Sequence, residues 1–319
     1  MAALVVLAAT QAGAEPKEFP GTGPVMVVVP FAAGGPTDKV ARDVVMVMSR
    51  YLGAPMVIEN LGGAGGIIGT KRVAQARNDG YTLLINHIGM ATTPALYRNL
   101  GFDPLKDFET VGEIADVPMV MVGNKGLPPA NFKDLLPYIK ANVATLSLAH
   151  AGVGSASHLC SLLFQSAIQT VMTTVPYKGS APALNDVLGG QVDLMCDQTT
   201  SSGGLLKAGA LKPYAAMQSR RLEAFKDIPT SAEQGLPGIE MKIWHGMYAP
   251  KGTPKAVVDK LSAALQKAVS DPNFRARMAE AGAEAVPAQR ATPDSLRALL
   301  SSEIGKWTPV IKKAGVYAE

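Results

Sequence analysis

The stretch VMVVVPFAAGGPTDKVARDVVMVMSRYLG, residues 25–53, decides the fold. Its first five residues form an apolar, β-branched run with the length of a buried strand. A turn follows over residues 30–36, with two glycines and no charge. A helix then begins: Gly35 or Thr37 can cap it, Pro36 suits a first helical position, and Asp38 suits the positive end of the dipole. Val40, Val44, Val47, Met48 and Tyr51 recur at helical spacing, and Gly53 with Pro55 ends the helix. A strand, a glycine turn and a helix N-terminus together present free backbone N–H groups to an anion. Residues 31–37 are therefore expected to form one wall of a ligand site.

The same unit repeats outward from this stretch. Residues 56–59 read as a strand, 66–76 as a helix and 81–86 as a strand, with 87–94 a polar loop and helix start. The run 60–69 falls short of a dinucleotide fingerprint, because Gly63 and Gly65 fit but Ile68 stands where the third glycine belongs. No cofactor is expected. Residues 111–123 are extended and apolar. A second series follows: helix 131–141, strand 145–149, a small-residue turn 150–158 into helix 156–168, strand 171–176, turn 177–182 into a helix ending at Leu188, strand 192–196, polar exit loop 197–202 and strand 211–217. The chain should return to the first unit near residues 243–248, followed by a helix from Thr253 to about Ser270 and a helical, tail-like remainder. Strands alternating with helices point to mostly parallel sheets. Such sheets bind ligands beyond the carboxyl ends of their strands. That places 31–37, 86–93, 152–158, 177–181 and 197–200 around one cleft.

At 319 residues the chain suits two lobes rather than one core. A hydrophobic content of 47% against 18% charged residues argues for a folded protein. The net charge of +4 comes without a basic run or stripe, so no nucleic-acid partner is expected. Residues 1–14 read as a partial signal peptide: an apolar segment at 4–9 and a small-residue cleavage site at Ala12-Gly13-Ala14. The chain is expected to be exported, soluble and monomeric. Cys160 and Cys196 lack metal-ligand spacing. A disulfide is permitted in that compartment, but buried free thiols are the expectation, and no metal is expected.

Several motifs are similar to those of the periplasmic substrate-binding receptors of tripartite tricarboxylate transporters, the Bug receptors. They are VPFAAGGPTD at 29–38, ENLGGAGGIIG at 59–69, DGYTLL at 79–84, FDPLKDF at 102–108, GVGSASH at 152–158 and VPYKGSAPALNDVLGGQVD at 175–193. They cover nearly the whole mature chain in order. The resemblance implies an α/β, two-lobed type II periplasmic-binding-protein fold, each lobe a mostly parallel sheet flanked by helices. Lobe I would comprise residues 22–122 and 245–319 and lobe II residues 123–244, with the ligand cleft between them. It implies no catalytic residues and a membrane permease as partner. It also implies a small carboxylate ligand held by Phe31, Gly35, Pro36, Thr37, Ser155, Ser157, Lys178, Gly179 and Ala181. Asp197 corresponds to an aspartate that can meet a ligand ammonium in relatives taking amino acids.

The sequence departs from relatives at Asn86-His87 and at Gln198. These changes add hydrogen-bonding groups at the distal end of the ligand, so Asn86, His87 and Gln198 join the candidate site. The expected ligand is a dicarboxylate, either aliphatic or aromatic such as terephthalate, with Phe31 as a flat wall. His87, at its reference pKa of about 6.5, would charge between pH 8 and 6. His150 and His245 are expected to be structural. His158 could be exposed or packed, and Trp244 and Trp307 should pack in the core or hinge. The rival reading is an exported hydrolase acting on a small carboxylate ester. It lacks G-x-S-x-G, H-E-x-x-H and any nucleophile elbow.

Overall fold

The computed structural model describes residues 19–21, 23–315 and 317. The expected leader at residues 1–14 lies outside the described residues. Strands β1 (Val25–Val29), β2 (Met56–Asn60) and β3 (Thr82–His87) run parallel in the order β2-β1-β3. Each feeds a helix: β1 leads to α1 (Pro36–Leu52), β2 to α2 (Ile67–Ala74) and β3 to α3 (Gly89–Leu96). Pro36 stands at the start of α1, and Gly53 closes it in the left-handed conformation, as read from the sequence. Val40, Val44, Val47 and Met48 are buried against Val25, Val27 and Val29. Tyr51 departs from that stripe; it is exposed, and its hydroxyl donates to Asp271 at 3.1 Å.

The chain then enters β4 (Phe108–Gly123), which begins three residues before the expected run. Next come α4 (Phe132–Asn142), β5 (Ser147–His150), α5 (Ala156–Ile168), β6 (Thr173–Pro176), α6 (Ser180–Leu188) and β7 (Leu194–Gln198). Helix α7 (Thr199–Lys207) and β8 (Lys212–Ala216) follow. β9 (Lys242–Pro250) returns to β3 and β4, and α8 (Lys255–Ser270), α9 (Pro272–Glu280), β10 (Glu284–Ala285) and α10 (Pro293–Ala314) complete the chain.

β4 carries the architecture. Its residues up to Pro118 pair antiparallel with β9, while Met119 to Gly123 pair with β7 and β8. One long strand thus joins a first half, β2-β1-β3-β9, to a second half, β7-β5-β6. β5 is parallel to both β6 and β7. Each half has its own core, and a third cluster containing Met119, Tyr248 and Trp244 spans the junction. The two tryptophans pack as expected, Trp244 4% and Trp307 5% exposed.

Three expectations are corrected. First, the polar segment 199–202 is the first turn of α7 rather than an exit loop. Thr, Ser and Gly are weak helix formers, but burial and hydrogen bonds from the Ser201 and Ser202 hydroxyls to Gln198 O hold this turn. Second, the C-terminal region is no loose tail: α10 buries Leu296, Leu300, Trp307 and Ile311 in the junction core. Third, Cys160 and Cys196 are disulfide-bonded, not free, with a Cα–Cα distance of 6.1 Å. The two residues are 36 apart, and only the fold brings α5 against β7.

Candidate functional site

Four helices begin at one cavity between the halves. Pro36 and Thr37 open α1, Ala156 and Ser157 open α5, Ser180 opens α6, and Gln198 caps α7; all six line the cavity, with Phe31, His87, Met119, Ala151, Ser155 and Asp197. No side-chain cap occupies the N-termini of α1, α6 or α7. Each helix N-terminus carries about half a positive charge and unpaired N–H groups. The lining contains no lysine or arginine, so the positive potential comes from main chain. The cavity is ≈ 10 Å³, room for about one water molecule.

The local sequence explains how each wall is held. In the first turn, Asp38 accepts from Gly34 N at 2.8 Å, Arg42 Nε at 2.8 Å and Asn60 Nδ2 at 2.8 Å. Asn60 Nδ2 also donates to Phe31 O at 3.2 Å. Burial raises the Asp38 carboxyl, but these hydrogen bonds outweigh it and hold the group below its ordinary range. Asp38 therefore ties the turn down as well as favouring the helix dipole. In the second-half turn, Ser157 Oγ accepts from Ala151 N at 2.7 Å and lies 3.1 Å from Ser155 Oγ. Ser155 caps α5 by accepting from His158 N.

His87 ends β3 rather than starting a loop. Its ring stacks on Phe31, centroids 4.7 Å apart, and meets His245 edge-on at 5.9 Å. Its Nδ1 accepts from Gly89 N at 2.9 Å, which leaves the proton of the neutral ring on Nε2. Burial, and next the neighbouring His245, push its pKa well below the ordinary value. The expectation that His87 charges between pH 8 and 6 is thus corrected: the ring stays neutral there. His245 is buried beside Thr37 and His87. His150 and His158 form a second buried pair, ring centroids 4.7 Å apart.

Asp197 is 1% exposed, and burial raises its carboxyl to about 6 despite hydrogen bonds from Ser201 and Ser180. Its Oδ1 has no partner, and neither does Gln198 Oε1. The cavity thus combines anion-favouring helix ends with two buried acceptors that lack donors.

Of the expected site residues, Phe31, Pro36, Thr37, His87, Ser155, Ser157, Asp197 and Gln198 come together on the cavity. Five do not line it. Asn86 spends its side chain on Thr70 Oγ1 and His87 N. Lys178 is exposed. Gly35, Gly179 and Ala181 lie where the walls meet, near Ser180, Ala32 and Gly34 respectively. Of the other lining residues, Ala156 and Ser180 fall within the ranges expected at the cleft without having been singled out, whereas Met119 and Ala151 lie outside those ranges. Ala151 belongs to the marked turn 150–158, but only three-dimensional pairing brings Met119 of β4 to the cleft.

The profile described as tripartite tricarboxylate transporter family receptor matches residues 40–316. The structure is similar to that of the periplasmic binding protein BugD, with a TM-score of 0.91 and 49% identity, covering 93% of this chain and 99% of that one. It is similar to MatC from Rhodopseudomonas palustris with bound malate, at TM-score 0.86 and 40% identity, covering 90% and 98%. It also matches R. palustris Rpa4515 with adipate, at TM-score 0.89 and 35% identity, covering 94% and 99%. The mixed α/β architecture is shared with these periplasmic binding proteins.

Proposed function

The chain belongs to the tripartite tricarboxylate transporter receptor family, and on that footing we propose that it captures a small aliphatic dicarboxylate and delivers it to membrane permease subunits. The family is one of periplasmic binding receptors, not of enzymes, so the ester-hydrolase reading is set aside. No described helix is long and apolar enough to cross a membrane.

The observation that carries the ligand class is the convergence of four helix N-termini on one cavity without a lysine or arginine. Such a site favours carboxylates. Micromolar capture requires about −8 kcal/mol, and three or four charge-assisted bonds of about 1.5–3 kcal/mol each suffice after ordering costs. Thr37, Ser155, Ser157 and Ser180 supply hydroxyls, and neutral His87 supplies an N–H to the distal carboxylate. A ligand hydroxyl, as malate has, would give Asp197 Oδ1 the donor it lacks. Similar proteins solved with malate and adipate support aliphatic diacids. An aromatic diacid such as terephthalate is disfavoured, because His87 covers one side of the Phe31 ring and Gly66 crowds its edge.

Residues 22–122 with 245–319 act as lobe I and residues 123–244 as lobe II, closing about β4 and β9. A thermal-shift screen of mono-, di- and tricarboxylates tests the reading. Succinate, malate or adipate should raise the melting temperature and terephthalate should not. A shift only with monocarboxylates would overturn it.

A further inference from the structure

The cavity has room for about one water molecule, so a ligand can enter it only when the halves part. A larger recess adjoins it across the contact between α1 and α7. Its volume is ≈ 350 Å³, within the range of small-molecule pockets, about 300–1,000 Å³. The two spaces share both helices. On α1, Pro36 and Thr37 line the cavity, while Lys39, Arg42 and Asp43 line the recess. On α7, the cap residue Gln198 lines the cavity and Thr200 lines the recess. Arg277 of α9, which packs on α1, completes the basic wall.

Two of the three cations are paired. Arg42 Nε donates to Asp38 at 2.8 Å, and Arg277 Nη1 donates to Asp43 at 2.9 Å. Lys39 is exposed and takes part in no ion pair among the described residues. Its charge reaches the cavity wall all the same: burial dominates the Asp197 carboxyl and raises it, and Lys39 is among the weaker influences that lower it. Thr200 is 5% exposed, and its Oγ1 has no hydrogen-bond partner. The recess thus combines an uncompensated ammonium with a buried hydroxyl that lacks an acceptor. A carboxylate supplies both the counter-charge and the acceptor. An ionised Asp197 repels an arriving diacid, and Lys39 opposes that repulsion from the next turn of α1.

We propose that this recess is an encounter site for dianionic carboxylates, anchored by Lys39, from which the ligand passes into the cavity when the halves part. The proposal rests on the dicarboxylate reading above. A charge at the rim of a site acts on association and its salt dependence, whereas groups that hold the bound ligand act on dissociation. Coulomb attraction is proportional to charge, so a dianion gains twice what a monoanion gains.

The test is stopped-flow binding of succinate and adipate at pH 8 to wild type, Lys39→Gln and Lys39→Glu. Charges act over about 30 Å at 0.01 M ionic strength and about 3 Å at 1 M, so both conditions are run. At low salt the association rate constant should fall about threefold in Lys39→Gln and about tenfold in Lys39→Glu. At high salt the three proteins should converge, and dissociation should be unchanged throughout. Lys133→Glu, on exposed α4, makes the same change in net charge away from the recess and should bind at nearly the wild-type rate. An unchanged association rate in Lys39→Glu, equal slowing in Lys133→Glu, or an effect confined to dissociation overturns the proposal. If wild type binds neither diacid, the dicarboxylate reading fails separately. The recess is then judged with sulfate as the dianion, by amide NMR at matched ionic strength against chloride. A saturable shift at Lys39 and Thr200 that Lys39→Glu abolishes at Thr200 supports an anion site; no saturable shift in wild type overturns it.

Discussion

The rings of Phe31 and His87 stack with centroids 4.7 Å apart and planes 23° from parallel. The contact joins the turn after β1 to the end of β3 and fixes the imidazole beside the cavity. Because Nδ1 already accepts from Gly89 N, only Nε2–H is free to serve a ligand. Replacing His87 with Ala should weaken dicarboxylate binding about tenfold, near 1.4 kcal/mol, and leave its pH dependence in place. Calorimetry at pH 8 and pH 6 measures both. A His87→Ala protein whose pH slope vanishes would return the titration to this histidine.

The pH dependence should instead reside in Asp197. Burial raises its pKa to about 6 from 3.8, and an arriving dianion raises it further by like-charge repulsion. Binding then takes up a proton, so affinity should rise as pH falls from about 8 to 6. In Asp197→Asn that slope should flatten; persistence of the slope would remove Asp197 from the ligand's field.

Asp197 should also tax the free protein. With the folded pKa above the unfolded one, the native state holds more protons between 3.8 and about 6. Its contribution is therefore fully present below 3.8 and lost as pH rises through about 6. Roughly 2 pKa units correspond to about 3 kcal/mol. The buried histidines act with the opposite sign. His158 and His245 are lowered by burial to about 4, so their contribution is lost as pH falls from 6.5 towards 4. Denaturant melts of wild type and Asp197→Asn across pH 4 to 7 isolate the aspartate: the variant's relative stability should increase with pH.

Ser157 should matter twice. Its hydroxyl holds Ala151 N at 2.7 Å and lies on the cavity. Ser157→Val leaves a buried N–H unpaired, costing about 1–3 kcal/mol, and should weaken carboxylate binding at least tenfold. Thermal unfolding and calorimetry separate the two effects. Wild-type affinity in the folded variant would take this turn out of the site.

The Cys160–Cys196 bond staples α5 to β7 beside Asp197. For a separation of 36 residues, the loss on replacing both cysteines with serine should be about 3–4 kcal/mol. Urea unfolding of the double variant against oxidised wild type measures it, and equal midpoints would show that the bond does not stabilise the fold.

The sequence alone determined the strand–turn–helix units, because each is written locally. The run 25–29 is apolar and β-branched, Pro36 and Asp38 suit a first helical turn, and Gly53 suits a left-handed stop. It likewise marked the turns that reach the cavity, since small residues before a helix start are a local signal. Tertiary structure decided the rest. The disulfide, the helix at 199–207 and the packing of α10 depend on neighbours distant in sequence. So does the charge state of His87: the same imidazole would titrate near its reference value in solvent, and burial beside Phe31 and His245 holds it neutral. Lys178 shows the converse, since its motif pointed to the ligand while the fold turns its side chain to solvent and sets its carbonyl against Gly62. Local propensity specifies which backbone conformation a residue favours. Exposure, partner and protonation are properties of the assembled surroundings, and no single stretch of chain contains them.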